Sequence, residues 1–175
     1  MPIPTIARVT RSTRRDRSER GQTLVEVGLI LPIFLITLLA IVEFGWWAAV
    51  ASATGSASRE AARYGSTVGT VGAPAVERYR DCAGIRNAAR DTTAALIDLP
   101  DTDIDITYDN GSGTAVAVPC MSAGSRPTAD QLDRWDRVVV EVHITYDPLV
   151  PIFDALIGTR ELVSIDRRSI VKASP

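Results

Sequence analysis

The sequence predicts an α+β fold: a long N-terminal membrane-spanning helix, then a domain with a second helix and about four antiparallel strands. Three observations predict it. From Val27 to Val42 sixteen consecutive residues (VGLILPIFLITLLAIV) carry no charge, and a helix of that length covers roughly 24 Å, a little short of a bilayer's ~30 Å apolar core. Further on, Ile85, Ala88, Ala89, Ala95, Leu96 and Leu99 fall on one helical face. Finally, Val138, Val140, Val142, Ile144 and Tyr146 alternate with Glu141, His143 and Thr145, the period of a strand buried on one side.

In chain order, residues 1–21 form a basic leader. Six Arg (Arg8, Arg11, Arg14, Arg15, Arg17, Arg20) stand against two acids there, whereas residues 55–175 carry thirteen basic and seventeen acidic groups. Such an Arg cluster can also serve as a nucleic-acid arm. With an apolar helix starting directly after it, the positive-inside rule accounts for it better, leaving the N-terminus in the cytoplasm and the C-terminal domain outside. The leader reads as irregular and polar.

The helix proper is expected over residues 22–66. Glu26 and Glu43 bracket its uncharged run. An ionised carboxylate near a bilayer costs about 3 kcal/mol even on lenient insertion scales, so Glu26 needs a partner or an interfacial position. If the chain were cut between Gly21 and Gln22, the new ammonium of Gln22 would stand one helical turn from Glu26. The carboxylate would also fall in the first turn, where the helix dipole favours negative charge. Pro32 lies inside the helix, a position that membrane helices tolerate. Trp46 and Trp47 suit the outer membrane–water boundary, with one of the pair expected to pack conventionally. Gly45, Ala49, Ala53, Ala57, Ala61 and Gly65 are all small and spaced by four. They form a slanted ridge that another helix, a sheet or a neighbouring subunit can approach closely.

Beyond the helix, residues 67–175 read as an extracytoplasmic α+β domain of about 110 residues, an ordinary size for one core. Gly69, Gly72 and Pro74 break the helix into a loop. The second helix is expected from about Ala83 to Asp98, with Asp81 as its cap and Pro100 as its stop. Ile104 and Ile106 alternate with Asp103, Asp105 and Thr107, a strand. Gly111-Ser112-Gly113 turns into a partner strand over Thr114–Pro119. A polar loop (Met121–Asp133) leads to the strand around Val138–Tyr146, then to an apolar connector with a short helix at Ile152–Ile157. A last strand covers Arg160–Ile170. Cys82 and Cys120, an even pair in an outside domain, read as a disulfide.

The stretch Arg20-Gly21-Gln22-Thr23-Leu24-Val25-Glu26, with the apolar run behind it, resembles the prepilin signal of type IV pilin-like proteins. More narrowly, that stretch together with Leu31-Pro32, Ile41-Val42-Glu43-Phe44-Gly45 and Ala61-Ala62-Arg63-Tyr64-Gly65 resembles the TadE-like family over roughly residues 20–66. Val27 is a departure, since such signals often carry an aromatic residue there. The family comprises pseudopilins or minor pilins of the tight-adherence (Flp) pilus. The resemblance implies a pilin-like architecture, processing by a prepilin peptidase after Gly21, and a single-pass position in the cytoplasmic membrane. Implied partners are the membrane, other pilin or pseudopilin subunits, and the pilus assembly machinery.

No enzyme is legible. Asp101, Asp103 and Asp105 suggest calcium, but an EF-hand needs glycine and glutamate where Ile106 and Ser112 stand; a solvated strand face explains the same residues. His143 is the sole histidine, placed on an exposed strand face, so neither a hydrolytic triad nor a histidine metal cluster can be built. Gly111-Ser112-Gly113 lacks the lysine of a phosphate-binding loop. No cofactor, small-molecule substrate or nucleic acid is expected. Two other readings compete. One is a secreted binding domain behind a conventional signal peptide, cut near Ala51-Ser52-Ala53 or Ala49-Val50-Ala51. The other is an anchored enzyme or adhesin that is never processed.

Overall fold

A computed structural model describes residues 15–121 and 125–172, with side chains from residue 21 onward. The expectations for residues 1–14 of the leader and 122–124 of the polar loop lie outside the described residues. The chain divides into two compact units, Met1–Val42 and Glu43–Pro175.

Helix α1 runs from Arg15 to Ser66 with Pro32 inside it. It begins before Gln22, so the part of the leader from residue 15 on is helical rather than irregular; Arg, Ser and Glu in this stretch offer no breaker before Gly21. In the first unit, every large apolar side chain from Leu24 to Val42 is exposed. A stretch that is apolar all round is stable only in an apolar surrounding. By length and composition it can cross a membrane.

The second unit is one core between helices and a sheet. Its helical side is the part of α1 from Glu43 onward plus α2 (Cys82–Thr93). Its sheet is antiparallel, in the order β3 (Ile104–Asp109), β4 (Arg137–Tyr146), β5 (Arg160–Ser169). Register pairs Ile106 with Val140 and Val142 with Ser164. Ile104, Ile106, Tyr108, Val138, Val140, Val142, Ile144 and Tyr146 are therefore on one face, all buried against Ala57, Ala61, Ile85 and Ala89. A two-stranded hairpin, β1 (Thr70–Val71) with β2 (Val76–Glu77), precedes α2, and α3 (Pro151–Ile157) links β4 to β5. The result is an α+β fold with a pilin-like layout.

Several details differ from the sequence reading, each for a local reason. Residues 114–119 do not form a strand. The glycine turn is present, with Gly111 and Gly113 at φ +89° and +91°. After it the chain makes one bridge, Asp109 to Ala115, and isolated bonds such as Cys120 N to Ile106 O at 3.0 Å. Pro119 has no N–H to continue a ladder. The main sheet thus has three strands, and the hairpin falls where only a loop was expected. Helix α2 ends at Thr93 rather than Asp98. There Leu96 and Ile97 both donate to Thr93 O, and Arg90 Nε holds Leu99 O at 3.0 Å, folding the connector back. Ala95 and Leu96 are consequently exposed, while Arg86 and Thr93 take places in the buried face. The loop expected to be polar contributes Leu132, which is fully buried.

Cys82, at the start of α2, is disulfide-bonded to Cys120 beside β3, with Cα atoms 5.5 Å apart and a sequence separation of 38. The bond ties the helical layer to the sheet. Removing it restores the freedom of a long loop to the unfolded chain. The double variant Cys82→Ser, Cys120→Ser is expected to lose roughly 3–5 kcal/mol of stability, read as a lower denaturant midpoint of the full chain in detergent micelles.

Candidate anchoring and assembly site

The residues singled out in the sequence fall at three places: the start of the apolar helix, the seam of α1 in the core, and the junction at Glu43. Gly21, Gln22 and Glu26 lie in exposed helix. A Cβ built on Gly21 meets nothing within 4 Å, so packing does not require this glycine. Pro32 is exposed among apolar neighbours, and Thr37 Oγ1 returns to Ile33 O at 2.8 Å.

The small-residue ridge divides along its length. Gly45 is exposed, Ala49 and Ala53 are half-buried, and Ala57, Ala61 and Gly65 are buried. A four-residue spacing drifts about 40° per step against the 3.6-residue turn, so only part of the ridge can face a single surface. The buried stripe itself follows the helical period through Glu43, Val50, Thr54, Ala57, Ala61 and Gly65. For this part of the ridge the neighbours are the protein's own sheet and α2. A Cβ on Gly65 would stand 3.1 Å from Ile85 Cδ1 and 3.4 Å from Val138 Cγ2. Nearby, the Ser58 and Ser164 hydroxyls are 2.9 Å apart. At the end of α1, Tyr64 Oη donates to Asp81 Oδ2 at 2.7 Å, and Asp81 Oδ1 caps α2 through Gly84 N at 3.1 Å. A side chain at position 84 would overlap both groups.

Glu43 has the most constrained position of the set. It is 5% exposed. Its carboxylate accepts hydrogen bonds from the Tyr146 hydroxyl, from Leu149 N at 3.2 Å and from Val150 N at 3.1 Å. Val150 is the residue before α3, so one side chain of α1 fixes the end of β4 and the start of α3. A buried carboxylate is tolerable because several donors replace its water. Burial, and after it the Glu43 carboxylate, push the Tyr146 hydroxyl up to about 12, so it remains a donor at every physiological pH. Beside this junction Trp46 packs on the core. Trp47 stays 40% exposed, its ring 5.8 Å from that of Phe44.

Sequence reading missed one buried polar group. Arg86 is buried on α2 and donates to Cys120 O, bracing the segment that the disulfide holds; burial lowers its pKa. A period search counts only apolar positions and passes over such a residue. On the outer face of the sheet, His143 faces three carboxylates. Nδ1 is 2.8 Å from Glu161 Oε1, and Nε2 is 3.6 Å from both Asp105 and Glu141. The hydrogen bond to Glu161, with the charges of Glu141 and Asp105 behind it, raises the imidazole's pKa. Asp101 is engaged elsewhere, by Arg90 and at 3.9 Å by Arg86. Among the described residues no three His, Cys, Asp or Glu side chains are grouped to hold a metal ion.

Replacing Glu43 with Ala strands three donors and is expected to cost roughly 2–4 kcal/mol; Tyr146→Phe, which removes one donor, is expected to cost about 1.5 kcal/mol. Denaturant titration of the full chain in micelles measures both. His143 has a folded pKa above its ordinary 6.5, so its contribution is complete below that value and is lost as pH rises through the folded pKa. The wild-type melting temperature should fall across that window more than that of His143→Gln.

No curated protein and no solved structure gives a match to the chain. Residues 21–63 match the family model described as TadE-like protein. The matched segment takes in Gly21, Gln22, Glu26, Pro32, Glu43 and α1 as far as Arg63, and it stops short of the disulfide and the sheet. Over that segment, α1 is similar to the TadE-like family.

Proposed function

We propose that this protein is a pseudopilin-like subunit of a tight-adherence pilus, cut by a prepilin peptidase between Gly21 and Gln22. The observation that carries the reading is that one helix supplies both a lipophilic segment and the core of a folded domain. Leu24 to Val42 are exposed and apolar, while Val50, Ala57 and Ala61 are buried. Before assembly the helix holds the subunit in the cytoplasmic membrane, N-terminus inside and disulfide-bonded domain outside, where an oxidising compartment sustains Cys82–Cys120. In an assembled bundle Glu26 neutralises a terminal ammonium, its own or a neighbour's. Gly45 and the exposed part of the small-residue ridge are free to set how closely subunits approach. Its partners are then the peptidase, other pilin or pseudopilin subunits, and the assembly machinery; its role is structural rather than catalytic.

A conventional signal peptide is the weaker reading. A cut after Ala51 or Ala53 would take Glu43 and Val50 out of the core, leaving the Tyr146 hydroxyl and the Leu149 and Val150 amides without their acceptor. Intact mass and N-terminal sequencing of the protein from its host's membranes decide between them. A chain starting at Gln22 is expected, whereas a start after Ala51 or Ala53, or an uncut chain, would sink the proposal. In the same host, Glu26→Gln should leave membrane insertion intact and reduce incorporation into assembled complexes.

A further inference from the structure

We propose that α3 and the residue leading into it form a second membrane contact, lying in the outer lipid interface beside the point where α1 leaves the bilayer. The proposal rests on the membrane-spanning reading of α1 given above. Ile152 and Leu156 are four residues apart in α3 (Pro151–Ile157), so they share one face of the short helix, and Leu149 stands in the lead-in before it. All three are exposed, Leu156 at 75%, and Ile157 beside them is exposed as well. Four large apolar side chains within nine residues are unusual for a surface connector facing water.

Position identifies the occupant. Glu43 directly follows the uncharged run Val27–Val42, so its backbone marks the outer end of the lipophilic segment. The Glu43 carboxylate holds Leu149 N and Val150 N at 3.2 and 3.1 Å. The lead-in to α3 is thereby fixed within one side chain's reach of the membrane exit. The headgroup zone on each side of a bilayer is on the order of 6 Å deep, enough to receive one face of a helix lying flat. Phe44 and Trp47, exposed and stacked on each other, occupy the same level, and amphipathic aromatics favour that layer. Charge points the same way: between Arg137 and Arg160 the chain has no Lys or Arg. Attachment is therefore apolar insertion, independent of anionic headgroups and insensitive to salt. Glu43 acts as the clasp between α1 and the lead-in to α3.

The test uses the full chain in phosphatidylcholine–phosphatidylglycerol vesicles. Leu156→Trp is introduced into a background with Trp46, Trp47 and Trp135 changed to Phe, and emission is quenched with spin-labelled lipids carrying the label at shallow or deep positions. A second variant keeps Trp47 as the sole tryptophan and reports on α1. The expected result is a blue-shifted Trp at 156, quenched by the shallow label as strongly as Trp47 is, with no change in high salt. An unquenched Trp at 156 alongside a quenched Trp47 overturns the α3 contact and leaves the anchored helix standing. If the blue shift at 156 is instead unquenched by lipid and grows with protein-to-lipid ratio, a second copy covers α3 and the proposal fails. Should Trp47 itself escape every lipid label, the membrane reading of α1 fails first, and this contact with it.

Discussion

A carboxylate buried one residue beyond an uncharged run imposes the organisation seen here. Water is gone from around Glu43, and three donors from a single short stretch of chain replace it: the hydroxyl at the end of β4 and two amides at the start of α3. Left unpaired, that charge would cost several kcal/mol. The backbone from Tyr146 to Val150 is consequently bound to follow α1 wherever the helix goes. The folded unit therefore takes in α1 from Glu43 onward.

Two solvents act on α1, and its composition changes accordingly. Up to Val42 its side chains are large and exposed, which suits lipid or the apolar flanks of other helices. Past Glu43 the buried positions are small, Ala57, Ala61 and Gly65 among them, and the sheet and α2 come close. At Gly65 there is room for no more than a forced contact with Ile85 and Val138. Cleavage between Gly21 and Gln22, as proposed, leaves this second half untouched. A secretory cut within it would dismantle the core.

The rest of the domain is held by bonds that each join two layers. Asp81 caps α2 and takes the Tyr64 hydroxyl from α1. The disulfide and Arg86 both hold Cys120 against α2. Asp109 at the end of β3 pairs bidentately with Arg137 at the start of β4, at 2.7 and 2.9 Å, and the pair holds its carboxylate below the ordinary range. These bonds hold helix and sheet together.

What the sequence determined by itself was whatever depends on periodicity and local rules. The apolar run, the strand at Val138–Tyr146, the Asp81 cap, the helix's continuation to residue 66 and the likeness to TadE-like proteins were all legible in it. So was one packed and one exposed tryptophan, although not which was which. Tertiary structure decided the rest, because the deciding partners are distant in the chain. Whether Glu43 flanks a membrane or fills a core depends on Tyr146 and Val150, about a hundred residues away. Arg86 is buried because the carbonyl of Cys120 lies 34 residues on and accepts from it. Residues 114–119 look like a strand, yet they meet β3 only in a bridge and isolated bonds, since strand pairing is a property of two segments and of the donors that proline removes. The ridge of small residues was visible as a pattern. Which part of it the sheet would cover was set by the 40-degree drift accumulating against one flat partner, and no single segment contains that information.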